Sequence, residues 1–239
     1  MKVVGITGYK KSGKTTLIVN LAQELSRRDY KVATIKHASE GIDLPNSDTA
    51  KHKKYAQQVA AVSSSESAIF FNYRKSLEDI AGYMEADFLL IEGFKKEKTF
   101  PKIICLKDTR EAERLLDGLE ICAAAISPLK IKLGVPVFSI LNDIEKIADL
   151  VEEKAFKLPN LNCGSCGHKT CYGLAREIVQ GKKSVGDCVS LKPTTQVTLN
   201  GQTLALNPFA AKIIRNTIKG ALSTLKGFRR GKIEIEINE

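Results

Sequence analysis

The run Gly8-Tyr9-Lys10-Lys11-Ser12-Gly13-Lys14-Thr15 constrains this chain more than any other. It fits G-x-x-x-x-G-K-[ST], and its surroundings suit the pattern. The apolar Val3–Thr7 before it predicts a strand, and Lys14–Arg28 after it predicts an amphipathic helix. A glycine-rich turn between such elements wraps backbone N–H groups around phosphate oxygens at a helix N-terminus. The candidate phosphate-binding residues are therefore Gly8, Tyr9, Lys10, Lys11, Ser12, Gly13, Lys14, Thr15 and Thr16. Lys14 would neutralise the β/γ-phosphates, and the Thr15 hydroxyl would ligate Mg²⁺. The competing reading is a chance glycine-rich turn.

A strand, a phosphate-type turn and a helix at the start predict an α/β fold, and the next 150 residues keep that rhythm. Strands are expected at Val3–Thr7, Lys31–Lys36, Ala68–Tyr73, Asp87–Glu92, Lys102–Leu106, Ile121–Ser127 and Pro136–Ile140. Helices are expected at Lys14–Arg28, Ser47–Ala60, Ser76–Met84, Arg110–Leu116 and Asp143–Lys154. Alternating βα units imply a mainly parallel sheet flanked by helices. Ala86–Ile91 is apolar without alternation, as a strand buried on both faces must be.

Ligands of open α/β sheets lie beyond the C-terminal ends of the strands. That rule selects Glu92 as a second catalytic candidate beside Lys14, and as a Mg²⁺ ligand with Thr15 and Asp48. Asp48 could act through a water. A solvated strand end for Glu92, and a helix N-terminal residue for Asp48, are the structural alternatives. Lys36-His37 ends the second strand, so His37 is a candidate cofactor contact or a structural histidine. Asp43 could reach the same cleft, and Asn142-Asp143 is a faint guanine-recognition candidate.

Six cysteines in a chain without a secretory signal suggest metal or redox chemistry rather than disulfides. Met1 leads directly into Val3–Thr7, too short for a signal segment, and no apolar run reaches the ~20 residues that span a bilayer. A cytoplasmic chain without a membrane span is expected. The 43% hydrophobic share supports a real core, and the formal charge of +10 favours anionic partners. Tryptophan is absent, which argues against a stacking platform for single-stranded nucleic acid.

Texture changes near Lys157-Leu158-Pro159, predicting domains at 1–156, 157–192 and 193–239. The second contains Cys163-x2-Cys166-x4-Cys171-x16-Cys188. Three thiolates from one short loop can grip adjacent corners of a compact inorganic core, with the fourth returning after a helix at Tyr172–Gln180. This is not the paired-CxxC pattern of zinc; an iron–sulfur cluster, zinc and unliganded thiols remain as readings. Cys105 and Cys122 lie in apolar strand patterns and are expected in the core. The third segment predicts a ββαβ tail: Gln196–Leu199 and Thr203–Leu206 around Asn200-Gly201, a helix from Pro208 to about Leu225, and a strand at Lys232–Asn238. Lys212, Arg215, Lys219, Lys226, Arg229, Arg230 and Lys232 make it basic, but no recognised nucleic-acid readout motif accompanies them.

Residues 1–155 resemble the MobB family, nucleotide-binding adaptors of molybdopterin-guanine dinucleotide biosynthesis. The likeness rests on Ser12–Ile18, Val32–His37, Asp43–Thr49, Leu89–Lys95 and Pro101-Lys102-Ile103. It implies GTP and Mg²⁺ binding, weak hydrolysis by an adaptor, a homodimer, and a partner in molybdopterin or its nucleotidyltransferase. The chain departs from the family's pattern at Ala38–Gly41, where further histidines are usual, and at Asn46-Ser47, where Gly-Lys is usual. The cysteine segment, with Leu158-Pro159, Asn162, Ile178-Val179 and Gly181, resembles the [4Fe–4S] module of corrinoid iron–sulfur proteins and the Rnf electron-transport B subunit. That resemblance implies Cys163, Cys166, Cys171 and Cys188 as cluster ligands. The functional expectation is a GTP-binding accessory protein of molybdenum or tungsten cofactor synthesis. The alternative is a nucleotide-gated electron-transfer or metalloenzyme-maturation protein.

Overall fold

The computed structural model describes every residue except Glu40, Pro128, Lys130, Pro193, Thr194, Arg230, Asn238 and Glu239. The chain divides into two compact units, Met1–Lys157 and Leu158–Glu239.

The first unit is a parallel α/β layer structure. Its strands are β1 (Lys2–Gly8), β2 (Val32–Lys36), β5 (Phe88–Glu92), β6 (Lys102–Cys105), β7 (Glu120–Ala125) and β8 (Val137–Ser139), with β3 (Gln58–Val62) and β4 (Ser67–Phe71) outside that sheet. The six strands run in the order β2-β5-β1-β6-β7-β8, all pairs parallel. β1, β5, β6 and β7 are the inner strands, and they are buried on both faces, which only near-continuous apolar sequence permits.

Helix α1 (Lys14–Arg27) starts at Gly13, whose φ of 87° lies in the left-handed region that favours glycine. Its buried face is Leu17, Ile18, Leu21 and Leu25, the i, i+1, i+4, i+8 stripe that a 3.6-residue period brings together. Helix α5 (Ile144–Lys154) packs beside it, burying Ile147, Ala148 and Val151. Arg28 ties the two helices, reaching Glu24 at 2.7 Å, Asp149 at 2.6 Å and Glu152 at 2.7 Å. The short helices α2 (Asp48–His52), α3 (Leu77–Ala81) and α4 (Arg110–Leu115) complete the unit.

The expected helix Ser47–Ala60 is a correction. Only Asp48–His52 is helical, and Gln58–Val62 forms β3. It pairs antiparallel with β4, so the Ala68–Tyr73 segment joins a separate hairpin rather than the parallel sheet. The Ser63 hydroxyl makes the turn, accepting from Ser65 N at 3.2 Å and Glu66 N at 3.0 Å. Alanine, lysine and glutamine in that window favour a helix locally, but propensity is a weak prior, and backbone pairing with the neighbouring strand overrides it.

The second unit carries α6 (Cys171–Val179), two single-turn 3₁₀ segments at Val185–Asp187 and Val189–Leu191, the hairpin β9 (Val197–Leu199) and β10 (Gln202–Leu204), and α7 (Pro208–Ser223). The hairpin turns through Asn200 and Gly201, both at positive φ as a type I′ turn requires. The tail is ββα, not ββαβ: residues 232–237 form no strand, although Ile233, Ile235 and Ile237 alternate with charge. Alternation prepares a strand face but cannot supply the neighbouring backbone that completes the ladder. Arg230 and Asn238 lie outside the described residues. Among the described residues no helix is long and apolar enough to cross a membrane.

Candidate functional site

At the C-terminal edge of the parallel sheet, three strand ends converge. Ile6 of β1 and Lys36 of β2 both stand level with Glu92 of β5. His37 N donates to Glu92 O at 2.9 Å, and Gly93 N donates to Ile6 O at 3.0 Å. These bonds bring the phosphate-type loop, the end of β2 and the Glu92–Lys95 segment to one edge.

Gly8–Thr15 is a strand–turn–helix. Lys11 has φ 62° and Gly13 φ 87°, left-handed turns that coil the loop tightly. A Cβ on Gly8 would stand 2.6 Å from Cys105 O, so the first loop residue has no room for a side chain. The Ser12 hydroxyl is buried without a hydrogen-bond partner among the described residues. Lys14 Nζ donates to Tyr9 O at 2.7 Å, which holds the ammonium against its own loop. Thr15 Oγ1 donates to Glu92 Oε2 at 3.5 Å. Sequence reasoning put both at a metal site, and the fold brings them together.

The other candidates divide. His37 is exposed, with its ring edge-on to Phe94 at 5.1 Å. Gly93 (φ 90°) and Phe94 (φ 48°) turn the chain sharply there, and a Cβ on Gly93 would come within 2.9 Å of His37 Cβ. Lys95, quoted above only as part of a motif, lies with Nζ 4.0 Å from the centre of the Tyr9 ring. Asp48 opens α2, is 84% exposed and pairs with Lys51 at 2.8 Å. Asp43 organises its own loop instead of entering the cleft. It accepts from Ser47 Oγ at 3.2 Å and Thr49 Oγ1 at 3.1 Å, and pairs with Lys53 at 2.7 Å. The Lys53 ammonium, foremost, holds the Asp43 carboxyl below its ordinary range. Asp143 caps β8–α5 by accepting from Ser139 N at 2.9 Å and pairing with Lys146, so it too has local work. Cys105 and Cys122 are fully buried core thiols; burial pushes Cys105 up to about 12 and raises Cys122 further.

In the second unit, Cys163, Cys166, Cys171 and Cys188 line one small cavity. Asn160, Asn162, Gly164 and Gly167 all have positive φ, and this succession curls the loop that carries the first two cysteines. Cys171 is the first residue of α6, whose cap is Thr170, accepting from Gly173 N at 3.3 Å. Cys188 sits at the junction of the two 3₁₀ turns. Asn162 secures the cysteines twice: its Oδ1 accepts from Cys171 N at 2.8 Å and its N donates to Cys171 Sγ at 3.4 Å. Ser190 Oγ stands 3.5 Å from Cys163 Sγ, and this contact foremost lowers the Cys163 thiol. Cys188 is raised, first by burial, with the Cys171 and Cys166 sulfurs adding to it. Ser190 carried no local sequence signal. Asn162 stood in the motif only as an asparagine before a cysteine.

Residues 3–127 match the family described as "MobB: Molybdopterin guanine dinucleotide synthesis protein B", more than half of the chain. The chain belongs to the MobB family. Residues 158–190 match a second family, described as "Putative Fe-S cluster". A Methanocaldococcus jannaschii protein named "Putative molybdopterin-guanine dinucleotide biosynthesis adapter protein" is 33% identical over 100% of this chain and 98% of its own length. The Haemophilus influenzae "Molybdopterin-guanine dinucleotide biosynthesis adapter protein" is 32% identical over 63% of this chain and 87% of its own. Among solved structures, a MobB homologue from Bacillus stearothermophilus aligns with a TM-score of 0.51 at 25% identity, covering 64% of this chain and 100% of its own. The Methanocaldococcus jannaschii likeness thus covers the whole chain, cysteine segment and tail included, whereas the other two cover about two thirds of it.

Proposed function

We propose that this MobB-family chain binds Mg·GTP at Gly8–Thr16 and serves as an accessory to the enzyme that joins a guanine nucleotide to molybdopterin. The observation that carries the nucleotide reading is the meeting of Thr15 and Glu92 at 3.5 Å beside the Lys14 loop. A hydroxyl and a carboxylate at that spacing can share a hard, oxygen-loving cation. Lys14 would leave the Tyr9 carbonyl to neutralise phosphate charge, and Glu92 would orient the cation and its water. The lack of room for any side chain at Gly8 and the Ser12 hydroxyl unpartnered among the described residues fit a loop that approaches phosphate with its backbone. Guanine is favoured by kinship: the named relatives are adapters of molybdopterin-guanine dinucleotide biosynthesis. Hydrolysis would be weak, since Asp48 and Asp43 are both engaged locally. His37 would contact the ligand from the end of β2.

Cys163, Cys166, Cys171 and Cys188 would hold a [4Fe–4S] cluster, which supplies one-electron chemistry or a structural clasp. Support comes from the spread of the four around one cavity. All four lie within residues 158–190, whose match to the family described as "Putative Fe-S cluster" favours iron–sulfur over zinc.

Calorimetric titration with Mg·GTP tests the first site, and Lys14→Ala should weaken binding at least ~100-fold, as loss of a charge-assisted phosphate contact predicts. Unchanged affinity would sink it. Anaerobic purification should return about four irons per chain, and Cys163→Ser with Cys171→Ser should abolish them. Stoichiometric zinc would overturn the cluster.

A further inference from the structure

Beyond Glu92 the chain turns through Gly93 and Phe94 before it reaches Lys95. Gly93 has φ 90° and Phe94 φ 48°, and the second is a bulky aromatic residue held in the left-handed region. Such strain persists only where surrounding contacts impose it, and it gathers at functional sites. Here the backbone is pinned on either side of Phe94. Gly93 N donates to Ile6 O at 3.0 Å, and the buried Lys102 ammonium donates to Lys95 O at 2.9 Å. The turn leads from the end of β5 to the phosphate-type loop, and it sets the exposed Lys95 ammonium 4.0 Å from the centre of the Tyr9 ring.

Tyr9 therefore serves two ammoniums. Its carbonyl accepts from Lys14 Nζ at 2.7 Å, and its ring faces Lys95. Tyr9 is half-buried, packed against the core cluster of Ile104, Leu106, Ala112, Leu115 and Ala123, so its ring is a fixed platform. A ring holds a solvated ammonium weakly, whereas a phosphate oxygen offers it a full charge and a hydrogen bond. An anion at the loop can thus draw Lys95 off the ring.

We propose that Lys95 contacts the terminal phosphate of the bound nucleotide and lets the site tell a triphosphate from a diphosphate, with Tyr9 as the positioning residue that keeps it at the loop. This rests on the Mg·GTP reading above. The end of the ligand follows from Glu92. Loop amides cradle the α- and β-phosphates, and a cation shared by the loop hydroxyl and a strand-end carboxylate bridges the β- and γ-oxygens. Lys95, three residues beyond that carboxylate, stands on the γ side of the cation. A diphosphate gives Lys95 no reason to leave the ring; a triphosphate does.

The test is calorimetric titration of the full chain with Mg·GDP and with the magnesium complex of a non-hydrolysable GTP analogue. Lys95→Ala should weaken the triphosphate about tenfold, the loss of one hydrogen bond to a charged group. It should leave the diphosphate within about twofold, as an exposed substitution does elsewhere. Lys96→Ala removes the same charge one residue on and should leave both affinities within that range, which separates a contact from bulk electrostatics. Tyr9→Leu keeps apolar bulk but removes the ring face, and should weaken the triphosphate about threefold; Tyr9→Phe keeps the face and should match the parent chain. Equal weakening of both nucleotides by Lys95→Ala, weakening of neither, or an equal effect from Lys96→Ala would overturn the proposal. Tyr9→Phe behaving as Tyr9→Leu would overturn the positioning role. A wild-type chain that binds neither nucleotide, or a Lys14→Ala chain that binds both as well as the parent, would instead sink the site reading, and this inference with it.

Discussion

Gly8 and Lys102 show how much single positions carry in this chain. At Gly8 the backbone of β6 leaves no space for even a methyl group, since Cys105 O would stand 2.6 Å away. Gly8→Ala should therefore displace the loop, costing about 1–3 kcal/mol of stability and weakening Mg·GTP binding; a variant with unchanged affinity would show that the loop tolerates the shift. Lys102 is 1% exposed, donating to Asp117 Oδ2 at 2.6 Å and to Lys95 O at 2.9 Å. Burial lowers the Lys102 ammonium, and the Asp117 carboxyl opposes that shift. Lys98 also pairs with Asp117. The two partners are therefore unequal. Asp117→Ala leaves a buried ammonium with only a carbonyl and should cost about 3–5 kcal/mol. Lys102→Met leaves Asp117 with Lys98 and should cost clearly less in urea unfolding. Equal losses would show that packing rather than charge pairing dominates.

Among the elements, the α1–α5 clasp carries a pH signature. Hydrogen bonds from Arg27, and then Arg28, lower Glu24 from an ordinary 4.5 to about 2. A carboxyl depressed on folding contributes stability that is present above its unfolded value and is lost as pH falls. The loss should thus run from about pH 4.5 down to about pH 2. Glu24→Gln should lower the melting temperature at neutral pH, and its gap from the parent chain should close toward pH 2. A gap independent of pH would show that the contact matters only for packing. The element that departed from expectation, β3, illustrates a different scale of cause. Gln58–Val62 has ordinary local preferences, and its strand identity comes from backbone pairing with β4 nine residues on. The segment 232–237 is the converse: Ile233, Ile235 and Ile237 alternate as a strand should, but no described strand pairs with them.

For the whole molecule, the division at Lys157/Leu158 carries a prediction. Every side chain invoked for Mg·GTP lies in residues 8–95, and every cysteine invoked for iron lies in 163–188. A chain ending at Lys157 should keep Mg·GTP affinity within about threefold, in line with additivity for independent sites, and should bind no iron after anaerobic reconstitution. Loss of nucleotide binding in that fragment would mean that the second unit contributes to the first site. Much of this was legible beforehand. The phosphate loop, its flanking strand and helix, Glu92 at a strand end and the four cysteines were all read from spacing. Asp48 and Asp43 were not readable in that way. Their acidity suits a metal equally at either position, and only the pairings with Lys51 and Lys53 reveal their occupation.

What the sequence determined by itself was periodicity and chemistry. Short apolar runs specify buried parallel strands, Gly-x4-Gly-Lys-Thr specifies a loop that can curl, and the cysteine spacing brings three thiols into one local stretch. Those signals are local because each arises within a few bonds of backbone. The tertiary structure decided everything that needs a partner from afar. It set Glu92 beside Thr15 across 77 residues. It brought Ser190 to Cys163, sent β3 to β4 rather than into a helix, and laid Lys95 over the Tyr9 ring. The physical reason is the same each time: a side chain's chemistry is written in its own identity, but its role depends on which distant groups the packed core brings within a few ångströms of it.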